Sequence, residues 1–301
     1  MQTAYQPRGE FKLSVCICTR NRPDELAKAL ISVQNSSYPI HETIVSDDST
    51  DLRTMEMVKV HFPEVIVMEG PKKGLCANRN HALSRVSGTH VLFIDDDVLL
   101  GESFVESIYA YLLEHDLLDG EHIVTGLEYR NQHLIHPHDQ SFLGFQTKMY
   151  GSGEPIKTVV INSTIFPRRL FDTFRFDELL RYGYDEVDLT TRASGARYTI
   201  HICERAVNQH YPAEANRDYY KPYIDASRLY VTYKRYRYSE QSLWKSSCFL
   251  GTAVLHVVLH GLIKNGWSGF KQAGFTLKTT ASYIRAYEKN VHMDQVPLNA
   301  S

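Results

Sequence analysis

Three consecutive aspartates, Asp95-Asp96-Asp97, close a short apolar run from Val91 to Ile94. Carboxylates held this close repel one another unless a cation or strong hydrogen-bond donors satisfy them. Hard oxygen ligands of this kind suit Mg²⁺ or Mn²⁺, ions that keep bound waters and borrow further ligands from substrate phosphates. The chemistry suggested is a divalent ion held against a diphosphate. The same aspartates could instead cap the helix that follows, where acidic side chains suit the positive N-terminal end.

A second acidic turn, Asp47-Asp48-Ser49-Thr50, follows the apolar stretch Thr43 to Val45, and a simple turn-and-cap role is open for it too. A third polar terminus is Thr19, after Leu-Ser-Val-Cys-Ile-Cys. In an open parallel sheet, ligands bind beyond the carboxyl ends of the strands, because loops and helix N-termini converge there. Thr19, Asp48 and Asp97 therefore fall on one rim.

The elements that must hold this rim are legible as short apolar runs alternating with amphipathic segments, the pattern of strands joined by crossover helices. Pro23 opens a helix whose apolar residues Leu26, Ala29, Leu30 and Val33 fall on one face. Strands are expected at Val65 to Met68 and around Ile123 to Thr125, and a helix between them carries Phe104, Val105, Ile108 and Leu112. From Tyr129 to Gly153 the chain is polar and rich in His and Gly, and reads as a long, partly ordered loop. His133, His136, His138 and Asp139 within it are too irregularly spaced for a metal cluster and suit solvated residues or an acceptor-binding lid. The expected fold is α/β, a Rossmann-like and mostly parallel central sheet flanked by helices over residues 1–238, with a C-terminal helical appendage over 239–301.

In order and spacing, five stretches resemble the family 2 glycosyltransferases of GT-A fold, between about Lys12 and Tyr211. They are Cys-Thr-Arg-Asn at 18–21, Asp47-Asp48-Ser49-Thr50, Gly74 with Ala77-Asn78-Arg79-Asn80, the triple aspartate, and Asp185-Glu186-Val187-Asp188-Leu189 followed by Arg192. The resemblance implies an inverting, metal-dependent transfer of a sugar from a nucleotide diphosphate to an acceptor hydroxyl on a glycan, polysaccharide or lipid-linked saccharide. It puts Thr19, Arg20, Asn21 and Asp48 around the nucleotide, with Asp48 accepting from a base N–H. Asp95 and Asp97 become the outer members of a D-x-D motif, with Asp97, Asp95 and His210 toward Mn²⁺ or Mg²⁺ and Asp96 on the ribose or the ion. Arg79 and Lys73, with Lys72, would neutralise the diphosphate, although the two lysines read equally well as a solvated basic turn. The catalytic base would come from the pair Asp185-Glu186. By register it is Glu186, but the acidic pair stands in inverted order, so Asp185 stays in view. Asp188 and Arg192, four apart, are expected to pair with each other.

Other signals bound the answer. Asp95-x-Asp97 also echoes a haloacid-dehalogenase-like phosphohydrolase, whose motif wants Thr or Val where Leu99 stands, and a non-catalytic sugar-nucleotide binder is a further alternative. No G-x-G-x-x-G follows the first strand, which disfavours a nicotinamide enzyme. A net charge of -2 gives no reason to expect nucleic acid. Tyrosines interleave with Lys221, Arg228, Lys234, Arg235 and Arg237 between Tyr219 and Tyr238, which suggests a helix facing phosphate or membrane. The odd, scattered cysteines and an N-terminus without an apolar leader predict a cytoplasmic protein with reduced thiols. The apolar run Cys248 to Ile263, flanked by Trp244, Lys245, Lys264 and Trp267, is shorter than the roughly 20 residues a bilayer requires. Peripheral contact with the inner face of the cytoplasmic membrane and packing against the core or a homo-oligomeric partner are equally open.

Overall fold

The structure, a computed structural model, describes residues 9–212 and 217–294. The expectation of no leader falls on residues 1–8, outside the described residues, as does the end of the C-terminal segment.

The chain opens with β1 (Leu13–Thr19), α1 (Pro23–Gln34), β2 (Glu42–Asp47), α2 (Arg53–His61), β3 (Ile66–Glu69), α3 (Leu75–Leu83) and β4 (His90–Asp95). The strands of this half are parallel neighbours in the order β3-β2-β1-β4. Side chains alternate across them, as a strand's period of two requires. Leu13, Val15 and Ile17 face α1 and the core beneath it, whereas Cys16 points to the opposite core with Ile44, Val91 and Phe93. Helix α1 buries Leu26, Ala29, Leu30 and Val33, the face its spacing predicted.

Beyond the triple aspartate come β5 (Val98–Leu99), α4 (Phe104–Glu114) and β6 (His122–Arg130), with α4 burying Phe104, Val105, Ile108 and Leu112. The stretch expected to be a loop is instead two hairpins. Strand β7 (His133–Ile135) folds back on β6, and β8 (His138–Gln140) pairs with β9 (Gln146–Met149) as a separate ribbon. β10 (Thr164–Pro167) and α5 (Leu170–Thr173) lead to α6 (Asp185–Gly195) and β11 (Thr199–His210). The main sheet runs β3-β2-β1-β4-β10-β6-β11-β5, with β10 antiparallel to both neighbours and β6 parallel to β11. The fold is thus mixed α/β with a mostly parallel sheet between helices.

Helix α7 (Arg217–Lys234) runs through a π-helical turn at Arg235–Ser239 into α8 (Leu243–Asp294). Gly266, at φ 54° and ψ -134°, divides α8 into two arms. By length and composition α8 could cross a membrane, because the helix extends well past the limits of the Cys248 to Ile263 run. The basic residues of α7 do not form an outward stripe. Arg228 and Lys234 are buried, and the Arg228 guanidinium stacks 4.0 Å over the Phe145 ring. Pairing with acidic and aromatic groups inside the protein outweighs the solvation that a sequence pattern assumes.

Candidate active site

The carboxyl ends of β1, β2 and β4 meet as the sequence requires, and their polar residues are tied together. The β2 terminus sends the Asp48 N–H to the Thr19 carbonyl at 2.9 Å. Asn21 takes a left-handed φ of 56°, its N–H donates to Ser49 Oγ at 2.7 Å, and its Oδ1 accepts from the Thr50 N–H at 2.9 Å. Arg20 beside it is exposed. The Asp48 carboxylate accepts from the Lys72 N–H at 2.8 Å and rests against Gly70, where any Cβ would collide with it. The Lys72 side chain pairs with Glu69 at 2.7 Å in solvent and Lys73 is exposed, so both belong to a solvated turn.

Each member of the triple aspartate has its own partners. Asp95 receives Arg79 Nη2 at 3.0 Å and Asn162 Nδ2 at 3.3 Å. Asp96 is nearly buried and accepts from Thr19 Oγ1 at 2.8 Å and Arg22 Nη1 at 2.6 Å. Burial outweighs these partners and pushes its pKa up to about 7. Asp97 is met by Arg22 Nη1 at 3.1 Å and His210 Nε2 at 3.2 Å, which together overcome burial and hold its pKa below the usual carboxylate value. Protein donors thus satisfy the repulsion that the sequence alone left to a cation or to such groups.

His210 reaches Asp97 because β5 pairs antiparallel with β11, setting His210 opposite Val98 and the Tyr211 N–H on the Asp97 carbonyl at 2.9 Å. Its other ring nitrogen faces Glu128 Oε1 at 2.9 Å. Burial opposes the imidazolium, but the two carboxylates push the His210 pKa up to about 9. Among the described residues no three His, Cys, Asp or Glu side chains form a closed metal cage. Asp97 and His210 supply one oxygen and one nitrogen side by side, with Glu128 oriented behind the histidine as such a carboxylate is behind a metal-bound imidazole.

Arg79, expected at the diphosphate, is instead buried between two carboxylates. Its Nη1 pairs with Asp185 and its Nη2 with Asp95, while the guanidinium lies 5.5 Å from the Phe176 ring centroid. Asp185 is therefore engaged, whereas among the described residues Glu186 forms no direct ion pair, although the Arg79 charge lies close enough to act on it. Helix α6 starts abruptly because Gly183 and Tyr184 both adopt left-handed backbone, at φ 74° and 65°, a conformation costly for tyrosine. Glu186 sits in that first turn, partly buried. Burial and the adjacent Asp185 charge push its pKa up to about 8, against a hydrogen bond from Gln146.

Behind α6, Asp188 accepts from Arg192 Nη2 at 2.7 Å, the pair expected from their spacing. It also meets Lys234 at 2.7 Å, and Lys234 in turn reaches Asp177 at 2.6 Å. Sequence reading missed Arg22, Glu128, Gln146 and Asn162, and turned Lys234 toward phosphate or membrane instead of toward Asp177 and Asp188. Only Arg22, directly before Pro23 in the Cys-Thr-Arg-Asn-Arg segment, lay near a recognised motif.

Two clefts meet at Tyr211. One of 300 Å³ is lined by Glu25, Lys28, Asp96, Asp97, Leu99 and Tyr211, and another of 360 Å³ by Tyr129, Asn131, Gln132 and Gln209 around His210.

Known proteins are similar to parts of this chain. The chain is 25% identical over 181 residues to Glycosyltransferase GlyA of Streptococcus pneumoniae, covering 55% of this chain and 26% of that protein. It is 36% identical over 91 residues to the GalNAc(5)-diNAcBac-PP-undecaprenol beta-1,3-glucosyltransferase of Campylobacter jejuni, covering 29% of each. The chain thus spans less than a third of either relative. The crystal structure of S. aureus TarS superposes on 91% of this chain and 49% of its own, with a TM-score of 0.60 at 17% identity, a likeness of fold. The sequence model described as Glycosyl transferase family 2 matches residues 14–174, which carry Thr19, the Asp47–Thr50 turn, Arg79 and the triple aspartate. The chain belongs to glycosyl transferase family 2 and has its GT-A-like fold.

Proposed function

We propose that the protein is an inverting glycosyltransferase that moves a sugar from a nucleoside diphosphate to a hydroxyl of a saccharide or lipid-linked saccharide. The observation that carries this reading is the division of labour within the acidic pair of α6: Arg79 holds Asp185, and Glu186 keeps a carboxylate of raised proton affinity. A base of that kind accepts the proton of an incoming hydroxyl as the hydroxyl attacks the anomeric carbon. The transition state is oxocarbenium-like, so activation of the acceptor and stabilisation of the leaving diphosphate must occur together.

On the nucleotide side, the Asp48 carboxylate, oriented by the Lys72 N–H, is suited to accept a base N–H, with Thr19, Arg20 and Asn21 beside it. Asp96, fixed by Thr19 and Arg22, would receive a ribose hydroxyl. The pair Asp97 and His210, with Asp95 near, fits Mn²⁺ or Mg²⁺, because such ions take few protein ligands and complete their shell with phosphate oxygens and water. When bound, the ion would neutralise charge developing on the departing diphosphate. His210 would release its Nε2 proton to serve as a ligand, with Glu128 keeping the ring oriented.

The lipid-linked acceptor class draws support from the Campylobacter relative, whose name describes an undecaprenol-linked substrate. The phosphohydrolase reading needs Asp95 free as a nucleophile, and Asp95 is held by Arg79 and Asn162. The test is a screen of nucleotide sugars and saccharide acceptors with Mn²⁺ present, read as released nucleoside diphosphate and as product anomer. Transfer with inversion supports the proposal, whereas retention, or phosphate-ester hydrolysis without transfer, contradicts it.

A further inference from the structure

The two arms of α8 make a hairpin that leaves the body of the protein. The first arm is anchored by Phe249 and Ala253 against Tyr236, and the second by Thr276 and Thr280, the latter hydrogen-bonded to the Ala226 carbonyl. Between these anchors the chain turns at Gly266, and the arms cross where Gly261 meets the backbone of Gly269, a contact that a side chain on either would block. At 1.5 Å per residue, the first arm projects about 20 Å from Ala253 to the turn. Its tip is apolar and exposed: Ile263 is 84% and Trp267 71% accessible, with Leu259, Leu262 and Phe270 beside them. Trp267 and Phe270 stack 5.2 Å apart.

An apolar tip in water calls for a partner, and charge selects which kind. From Leu243 through Tyr287 there is no Asp or Glu, whereas Lys245, Lys264, Lys271, Lys278 and Arg285 fall in the same span. Two such tips meeting from separate copies would bring like charges together. Anionic lipid headgroups would attract the lysines and accept Trp267 at the interface, where indole rings are favoured. Lys264, Asn265 and Lys271 crowd the turn, so the tip suits the headgroup level of one leaflet better than its interior.

We propose that the tip of the α8 hairpin, centred on Ile263, Trp267 and Phe270 and ringed by Lys264 and Lys271, docks the protein on an anionic lipid surface. This surface is separate from the carboxylate crevice, and its occupancy is read without any turnover. The full chain is sedimented with mixed phosphatidylglycerol–phosphatidylcholine vesicles and with pure phosphatidylcholine vesicles. The expected result is retention on the anionic vesicles, weakened on the neutral ones and weakened by salt. Changing Ile263→Asp together with Trp267→Ser removes the inserted apolar area and lowers partitioning about tenfold or more. Both positions face solvent, and circular dichroism with thermal melting verifies that the variant stays folded. Lys264→Gln with Lys271→Gln, which spares the apolar tip, reduces binding to anionic vesicles selectively. The proposal is overturned if the wild type ignores anionic vesicles or binds neutral ones equally. It is also overturned if the Ile263/Trp267 variant binds as well, or if sedimentation equilibrium gives a dimer that this variant splits and that shows no lipid affinity.

Discussion

Asp95 and Asp185, at the end of β4 and the start of α6, share one buried guanidinium, that of Arg79. The contact locks the acidic pair of α6 to the aspartates that follow β4, so the candidate base and the candidate metal ligands are positioned relative to one another by a single side chain. It also separates two neighbouring carboxylates chemically. Asp185 faces a cation, and Glu186 faces burial and the Asp185 charge.

Replacing Glu186 by Gln is expected to lower turnover by about 100-fold or more while the affinity for the sugar nucleotide stays similar, the signature of a group needed for proton transfer and not for donor binding. Single-turnover rates and donor titration check this. Near-normal turnover in Glu186→Gln would transfer the role to Asp185.

Arg79→Ala should destabilise the fold by about 3 kcal/mol or more, because it leaves Asp95 and the buried Asp185 without their cation. Arg79→Lys should restore only part of this, since a point charge cannot bridge two carboxylates as a guanidinium does. Urea denaturation measures both.

The strand ends and the inward faces of α1 and α4 could be read from the sequence because each is a local pattern, apolar spacing over a few turns or a run of alternating residues. The partners that tune the site could not. Glu128 reaches His210 only through the pairing of β6 with β11, and Asn162 reaches Asp95 only because β10, which follows it, pairs with β4. The two hairpins between Tyr129 and Gly153 lack an apolar alternation because β7, β8 and β9 are short, β7 and β9 are largely exposed, and β8 buries the polar Asp139 and Gln140. Lys234 read as facing phosphate or membrane because its partners Asp177 and Asp188 lie on separate segments.

The raised proton affinity of Glu186 fixes the sign of a pH profile. A base works as the carboxylate, so kcat/KM should climb with pH and level off above about 8. Asp185→Asn removes the charge that helps hold the proton on Glu186, and the rise should move to lower pH. An unchanged profile in Asp185→Asn would contradict the assignment.

Lys234→Met is expected to cost about 3 kcal/mol, because Asp177 and Asp188 lose their shared cation. Although burial acts against it, Arg192 and Lys234 hold the Asp188 pKa below its unfolded value. Its contribution is therefore present above that unfolded value and fades as pH falls through the folded one. Acid titration of stability should show a smaller loss in Lys234→Met than in the wild type.

The most direct test of the account is thermal melting with nucleoside diphosphates, in the presence of Mn²⁺ and after chelation. The account predicts that one nucleoside diphosphate raises the melting temperature only when the ion is present, by the equivalent of about 2.7 kcal/mol at a hundred times its Kd. That shift should vanish in Asp97→Ala and in His210→Ala. An equal shift after thorough chelation, or in Asp97→Ala, would contradict it.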